Sequence, residues 1–124
     1  NCRRMEDNVW SKQEVFDIID DEYVLVSLYV DDRKELPKEL QGEITIVMND
    51  GTKKQKKINT VGDKWATFEA NVFQKVSQPF YVLISPDGNL LNHPVSYTPN
   101  AQDYADWLNC GIDAWNQLNQ TSSL

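Results

Sequence analysis

Residues 11–30 read SKQEVFDIIDDEYVLVSLYV, a helical pattern followed at once by a strand pattern. Ser11 and Glu14 have the spacing of a capping box, and apolar residues then recur at helical spacing, so we predict a helix over 11–20. Residues 23–30 are β-branched or aromatic at most positions and almost continuously apolar, which is typical of a strand buried on both faces. The two patterns together predict a mixed α/β protein.

The remainder of the chain continues this alternation of helices and strands. Two runs that flank Asn49-Asp50-Gly51 predict a hairpin over 43–58, and its second arm is rich in lysine. Asp63 is expected to cap a helix whose apolar face carries Trp65, Phe68, Val72, Phe73 and Val76. Next we predict a hairpin that turns at residues 86–89. Pro94 lies in its second arm, so that arm is expected at a sheet edge or with a bulge. A final amphipathic helix after Thr98-Pro99 closes the chain, with residues 119–124 frayed.

Length and charge limit the classes of protein that this chain can represent. Its 124 residues fit one domain, 1–124, and its 12 Lys and Arg against 19 Asp and Glu give a net charge of −7. That balance argues against nucleic acid and anionic membranes as partners, because phosphate binding needs a basic face. No apolar run is long enough to span a bilayer, and no signal-peptide pattern opens the chain. We therefore expect a soluble domain, and the abrupt start suggests a piece of a longer protein.

Cys2 is the first candidate for chemistry. It lies at the start of a predicted helix over residues 2–9, where a thiol meets unpaired amides and the positive end of the helix dipole. A partner cysteine three residues earlier would form a dithiol that opens and closes at little geometric cost. In such pairs the second cysteine resolves the mixed disulfide. The alternative is an ordinary single cysteine.

Pro79 is the second candidate, at the start of a predicted strand. A cis bond would leave the backbone groups of Gln78 free to pair with an extended peptide, whereas a trans proline is the commoner alternative. Trp65 could line a substrate groove, although core packing is the default for it. Cys110 is expected to be a small buried side chain. His93, the only histidine, is expected in a loop, and the chain lacks the ligands for a zinc site.

Four segments in combination resemble a known family. They are NCRRMEDNVW at 1–10, YVLVSLYVDD at 23–32, VGDKW at 61–65 and QPFYVL at 78–83. They are similar to the C-terminal thioredoxin-like domain of the thiol:disulfide interchange protein DsbD family, in its Bacteroides-type form. The resemblance covers nearly the whole chain and depends on the combination of segments.

The resemblance implies a thioredoxin-like α/β sandwich, with a mixed sheet, flanking helices and an inserted hairpin near 43–58. It implies that Cys2 is the resolving cysteine of a Cys-x-x-Cys motif and that Pro79 is a cis-proline facing that motif. Members of the family pass electrons from a membrane domain to periplasmic thioredoxin-like partners by dithiol–disulfide exchange. They need no metal or organic cofactor, and they act at the periplasmic face of the inner membrane.

In that family the first cysteine and a central strand would precede Asn1. Backbone groups left unpaired in a buried sheet cost ~1–3 kcal/mol each, so we expect the gap to be filled. Strand exchange in a homodimer, tag residues or a shifted hairpin from 43–58 could fill it, and residues 1–124 alone should have little exchange activity. Two alternatives stay open: a non-redox thioredoxin-like module that binds peptides beside Pro79, and a periplasmic thioredoxin-like protein not fused to a membrane domain.

Overall fold

A computed structural model describes residues 1–122 as a mixed α/β protein with four helices and a two-stranded antiparallel sheet. The helices are α1 (Cys2–Met5), α2 (Gln13–Glu22), α3 (Val61–Phe68) and α4 (Ala101–Ser122). Two of them continue as π-helices, α1 over Glu6–Trp10 and α3 over Glu69–Phe73. The strands are β1 (Gly42–Val47) and β2 (Lys53–Ile58), preceded by a 3-10 turn at Lys38–Leu40. Two compact units result, one of Asn1–Leu25 with Ser77–Leu124 and one of Val26–Val76.

The core of the first unit is built from α1, α2, α4 and residues near Leu83. Met5 and Val9 lie four residues apart and are fully buried, which confirms the helix predicted over residues 2–9. The remaining buried members of this cluster are Val15, Leu83, Tyr104, Ala105, Trp107 and Leu108. Since α1 and α4 supply most of these residues, their packing holds the start of the chain in place.

The helix predicted over 11–20 is present as α2, but its capping box is not. Lys12, with extended backbone, is the N-cap residue, and no side chain caps the helix. The Ser11 hydroxyl instead donates to the carbonyl oxygen of Asp7. The prediction fails because the preceding helix runs to Trp10, so that Ser11 bonds back to its last turn.

The prediction of a strand over 23–30 is wrong. These residues belong to no helix or strand, and their side chains are largely exposed, with 91% of Val24 and 70% of Val26 accessible. Among residues 1–122 the sheet contains only β1 and β2, so a shifted hairpin does not pair with this segment either. Apolar character predicts a buried strand only where neighbouring strands supply hydrogen bonds and a packing surface.

The hairpin predicted around residues 86–89 forms with irregular pairing. Ser85 accepts from the Gly88 N–H at 2.9 Å, which places Pro86 at the first central position of the turn, as predicted. The arms pair through isolated bridges, Tyr81 with Val95 and Ile84 with Leu90. Four residues, Pro94 among them, lie between these bridges on the second arm, against two on the first. The pairing is therefore interrupted over the stretch that contains Pro94.

The final helix begins two residues later than the Thr98-Pro99 pattern predicts. The side-chain oxygen of Asn100 accepts from the Asp103 N–H at 3.0 Å and caps α4. The helix continues through Ser122, so the fraying predicted for 119–124 is absent up to that residue, and residues 123 and 124 lie outside the described part.

The predicted hairpin of residues 43–58 is confirmed in the second unit. β1 pairs with β2 from Gly42 opposite Ile58 to Val47 opposite Lys53. Gly51 has a φ of 88° and donates to the Met48 carbonyl at 2.9 Å, so a turn with a left-handed glycine closes the hairpin. The signal is local, and the sequence alone was sufficient to locate it.

The helix predicted from Asp63 begins earlier and buries a different face. Thr60 is the N-cap residue of α3, and Asp63 completes a capping box with it. Phe68, Val72 and Val76 of the predicted apolar face are 40%, 55% and 62% exposed. The residues buried there are Gly62, Thr67, Glu69 and Ala70. The small residue Gly62 faces inward because the backbone of residues 30–32 approaches it closely.

Candidate functional site

Cys2 is the first residue of α1, and its side chain is exposed. Met5 and Val9 of the same helical segment are completely buried, so the helix cannot shift without disturbing the core. The thiol therefore projects from a helix start that the core holds in place. Cys2 has no disulfide partner, since both cysteines of the chain are free.

The peptide bond between Gln78 and Pro79 is cis, in agreement with what the resemblance implies. Pro79 is buried, whereas the side chain of Gln78 is exposed. Two residues later, Tyr81 exchanges two backbone hydrogen bonds with Val95, at 2.8 and 3.1 Å. The proline thus stands just before the first paired residue of the hairpin arm.

Tyr81, two residues after Pro79, packs against the helical segment that begins at Cys2. Burial raises the pKa of the Tyr81 hydroxyl, and the charges of Tyr104, Cys2 and Glu6 raise it further. The helical segment that Cys2 begins ends at Trp10, whose ring centroid lies 5.8 Å from that of Tyr81. The structure therefore packs the segment that carries the thiol against the chain segment that Pro79 begins.

An aromatic cluster backs this arrangement, and the sequence reasoning treated its members only as core residues or did not single them out. The Tyr81 ring lies 5.8 Å from Trp10 and 5.5 Å from Tyr104, centroid to centroid. Tyr104 in turn lies 5.3 Å from Trp107, whose indole N–H donates to the His93 carbonyl at 2.8 Å. Burial raises the pKa of Tyr104 to about 12. The cluster connects α1, the hairpin and α4.

A groove of about 320 Å³ lies on the first unit. Its lining consists of Trp10, Phe16, Ile19, Asp20, Tyr23 and Leu25. Phe16 is 53% exposed, although it is one of the apolar residues that recur at helical spacing over 11–20. The groove was not predicted from the sequence. The one sequence feature that points to it is that Phe16 and Asp20, both in its lining, lie one turn apart on α2.

Trp65, which the sequence suggested could line a substrate groove, belongs to α3 in the second unit. It is partly buried, packs edge-on against Phe68 with ring centroids 6.2 Å apart, and has the Lys64 ammonium 4.7 Å from its ring centroid. These contacts account for its position within that unit.

Cys110 is exposed on α4, so the prediction that it is buried is wrong. Its helix turns the neighbouring Leu108 and Gly111 inward instead. His93 is an exposed loop residue, as predicted. Among residues 1–122, no three His, Cys, Asp or Glu side chains are grouped so that they could hold a metal ion.

Comparison with known proteins assigns no family to the chain. No protein-family model matches the sequence. No curated protein matches it either. Within the described part of the chain, every helix is too short or too polar to cross a bilayer.

Proposed function

We propose that the chain is a thioredoxin-like domain of the DsbD family that transfers electrons by thiol–disulfide exchange, with Cys2 as the resolving cysteine. One observation carries the proposal. The exposed thiol of Cys2 begins a helical segment whose last residue, Trp10, packs against Tyr81, two residues after the cis Pro79. The electrons would come from a membrane domain and pass to thioredoxin-like proteins in the periplasm.

The proposed reaction needs a second cysteine three positions before Cys2, a position that precedes Asn1. The thiolate of that cysteine attacks a partner disulfide, the partner's sulfur–sulfur bond breaks, and one partner sulfur leaves as a thiolate. Cys2, after losing its proton, attacks the mixed disulfide and releases the second partner thiolate. Two electrons pass to the partner, and the dithiol becomes a disulfide.

Insulin reduction tests the proposal on a protein that extends upstream through the position three residues before Cys2. We expect turnover if that residue is cysteine, and a stalled mixed disulfide when Cys2 is replaced by serine. Residues 1–124 alone should turn over little, because one thiol of the pair cannot complete the cycle. Cys110→Ser is the matched control, since it removes the other exposed thiol and should leave turnover unchanged.

Comparable turnover by residues 1–124 and by the extended protein would refute the proposal, because exchange would then not need the upstream residue. Equal loss of activity in Cys2→Ser and Cys110→Ser would also refute it. Mass spectrometry of the intact protein identifies which sulfur carries the partner.

A second candidate function is a non-redox thioredoxin-like module that binds extended peptides. The apolar groove lined by Trp10, Phe16 and Tyr23, together with the exposed Gln78 beside Pro79, favours it. A residue other than cysteine three positions before Cys2, combined with peptide binding that Phe16→Ser weakens, would support this candidate over the first.

A further inference from the structure

The lysine-rich strand β2 carries a charge pattern that the redox proposal does not use. Four of its six residues, Lys53, Lys54, Lys56 and Lys57, are basic. Residues 26–76 contain nine of the twelve Lys and Arg of the chain but only eight of its nineteen Asp and Glu. The basic residues of an acidic protein are therefore concentrated in one unit, and nearly half of those in that unit lie on one short strand.

Acidic residues of the hairpin accompany two of these lysines, since Glu43 lies opposite Lys57 and the charge of Lys54 acts on Asp50 in the turn, whereas Lys53 and Lys56 face apolar residues across the sheet. Lys53 lies opposite Val47, Lys54 opposite Ile46 and Lys56 opposite Ile44. Lys57 alone in β2 is paired with an acidic residue, Glu43. Lys53, Lys54 and Lys57 are exposed, so an approaching chain would meet their ammonium groups.

One edge of β2 is open over these residues. The Met48 N–H donates to the Thr52 carbonyl at 2.8 Å, so the backbone groups of Thr52 face β1. Because backbone groups alternate in direction along a strand, those of Lys53, Gln55 and Lys57 point to the opposite edge. No other strand joins the sheet in the described part of the chain.

The end of the same edge already pairs with an extended segment. Leu36 donates to the Asn59 carbonyl at 2.9 Å, and Val61 donates to the Lys34 carbonyl at 2.8 Å, around an antiparallel bridge between Glu35 and Thr60. Residues 34–36 therefore occupy the edge just beyond β2 and stop there. The edge that they leave vacant has backbone groups suited to a further antiparallel strand.

We propose that the open edge of β2 binds an extended acidic segment of another protein, which adds to the sheet as a strand. Backbone hydrogen bonds supply the pairing, and alternate Asp or Glu side chains meet Lys53 and Lys57, which point to one face of the sheet. Lysines on an edge disfavour pairing with neutral and basic strands, because such strands would leave the lysine ammonium groups unpaired. The same residues therefore select an acidic partner. An anionic membrane or nucleic acid fits less well, because neither offers the peptide backbone that would pair with the open edge.

Fluorescence anisotropy tests this with a labelled peptide in which glutamate alternates with valine over about eight residues, the length of an ordinary strand. We expect Lys53→Gln/Lys54→Gln/Lys57→Gln to bind about tenfold more weakly than the wild type. The matched control is Lys12→Gln/Lys38→Gln/Lys75→Gln, which removes three exposed lysines elsewhere and should bind within about twofold of the wild type. A peptide with glutamine in place of glutamate should not bind.

Proline substitution separates strand addition from simple charge attraction. Gln55→Pro removes an N–H at the open edge of β2, a position where a strand tolerates proline. We expect it to lower the affinity as much as the lysine variant, while circular dichroism confirms that the protein is folded. Thr45→Pro is its counterpart on β1 and should retain the affinity.

Three results would overturn the proposal. Equal weakening in the two triple lysine variants would show general charge attraction. Full affinity in folded Gln55→Pro would exclude strand pairing. Binding to vesicles of anionic lipid that the β2 lysines control, with no binding of the acidic peptide, would assign the strand to a membrane instead. None of these results depends on the redox proposal, since the surface lies within residues 26–76 and every variant leaves Cys2 and Pro79 unchanged.

Discussion

The hydroxyl of Tyr23 donates a hydrogen bond of 2.6 Å to the carbonyl oxygen of Leu108. Tyr23 follows the last residue of α2, and Leu108 lies on the buried face of α4. The bond thus joins the two longest helices of the first unit at the point where α2 ends. It also places a phenol beside Gly111, where a Cβ atom would come within 2.7 Å of the hydroxyl oxygen.

Tyr23→Phe should lower the free energy of unfolding by about 1 kcal/mol, because the phenyl ring keeps the packing but leaves the Leu108 carbonyl without its donor. Urea denaturation followed by circular dichroism measures the change. Tyr29→Phe is the control, since Tyr29 is 65% exposed and should tolerate the change. Identical denaturation midpoints for the two variants would show that the bond does not contribute to stability.

Alkaline pH should destabilise the protein through its buried tyrosines. Burial, with a smaller contribution from the charge of Glu22, raises the pKa of Tyr23 to about 12, and burial also raises that of Tyr104 to about 12. The ordinary value is about 10, so the fold favours the neutral phenol. The stability from this preference is fully present below about pH 10 and is lost as the pH rises through about 12.

Absorbance at 295 nm, recorded with circular dichroism, follows tyrosine ionisation and unfolding together. We expect two or more of the five tyrosines to ionise only above the ordinary range, as the helical signal is lost. In Tyr23→Phe the alkaline loss of stability should be smaller than in the wild type. Ionisation of all five near pH 10 with an unchanged helical signal would contradict this.

Gly62→Ala should destabilise the second unit by about 1–3 kcal/mol, as overpacking in a closely packed site does. An added Cβ would lie 2.6 Å from the Val30 carbonyl oxygen and 2.7 Å from the backbone nitrogen of Asp32. Backbone atoms cannot rotate away as the end of a side chain can. Gly42→Ala is the matched control, because nothing lies within 4 Å of a Cβ added there. Thermal melting compares the two variants, and a stable Gly62→Ala would disprove the close approach.

Removing the carboxylate of Asp63 should weaken the start of α3 in a pH-dependent way. Hydrogen bonds from the Asn59 and Thr60 backbone lower the pKa of Asp63 despite its partial desolvation. The stability from these bonds is present above the ordinary aspartate pKa of about 3.9 and is lost as the pH falls through the lowered value. Asp63→Asn should therefore be less stable than the wild type at pH 7, by about 1 kcal/mol as for other helix caps, and the difference should shrink below about pH 4.

Urea denaturation across this pH range measures the difference. Asp31→Asn removes an exposed carboxylate from the same unit and serves as the control. A difference between Asp63→Asn and the wild type that stays constant down to pH 2 would show that the carboxylate charge is not what stabilises the cap.

The predictions that succeeded depend on short segments. Met5 and Val9 share a helical face whatever surrounds them, and Gly51 and Pro86 favour turns through their own backbone preferences. The placement of caps was less predictable. Thr60 and Asp63 are both good capping residues, and the chain uses both, with Thr60 as the N-cap.

Of the candidate site, the sequence identified Cys2 and Pro79 as separate features and related them only through a resemblance. The aromatic contacts of Tyr81 with Trp10 and Tyr104 could not be predicted from spacing. These residues lie in distant segments of the chain. Only the packing of α1 and α4 around a common core brings them together.

The sequence by itself determined the order of helices, the two hairpins and the concentration of lysine on β2, because each depends on residues close together in the chain. The tertiary structure decided which apolar residues are buried. Residues 24–29 are as apolar as any core strand yet remain exposed, while Gly62 and Thr67 are buried on α3. Burial requires a complementary surface from another segment, and a local pattern carries no information on whether that surface exists.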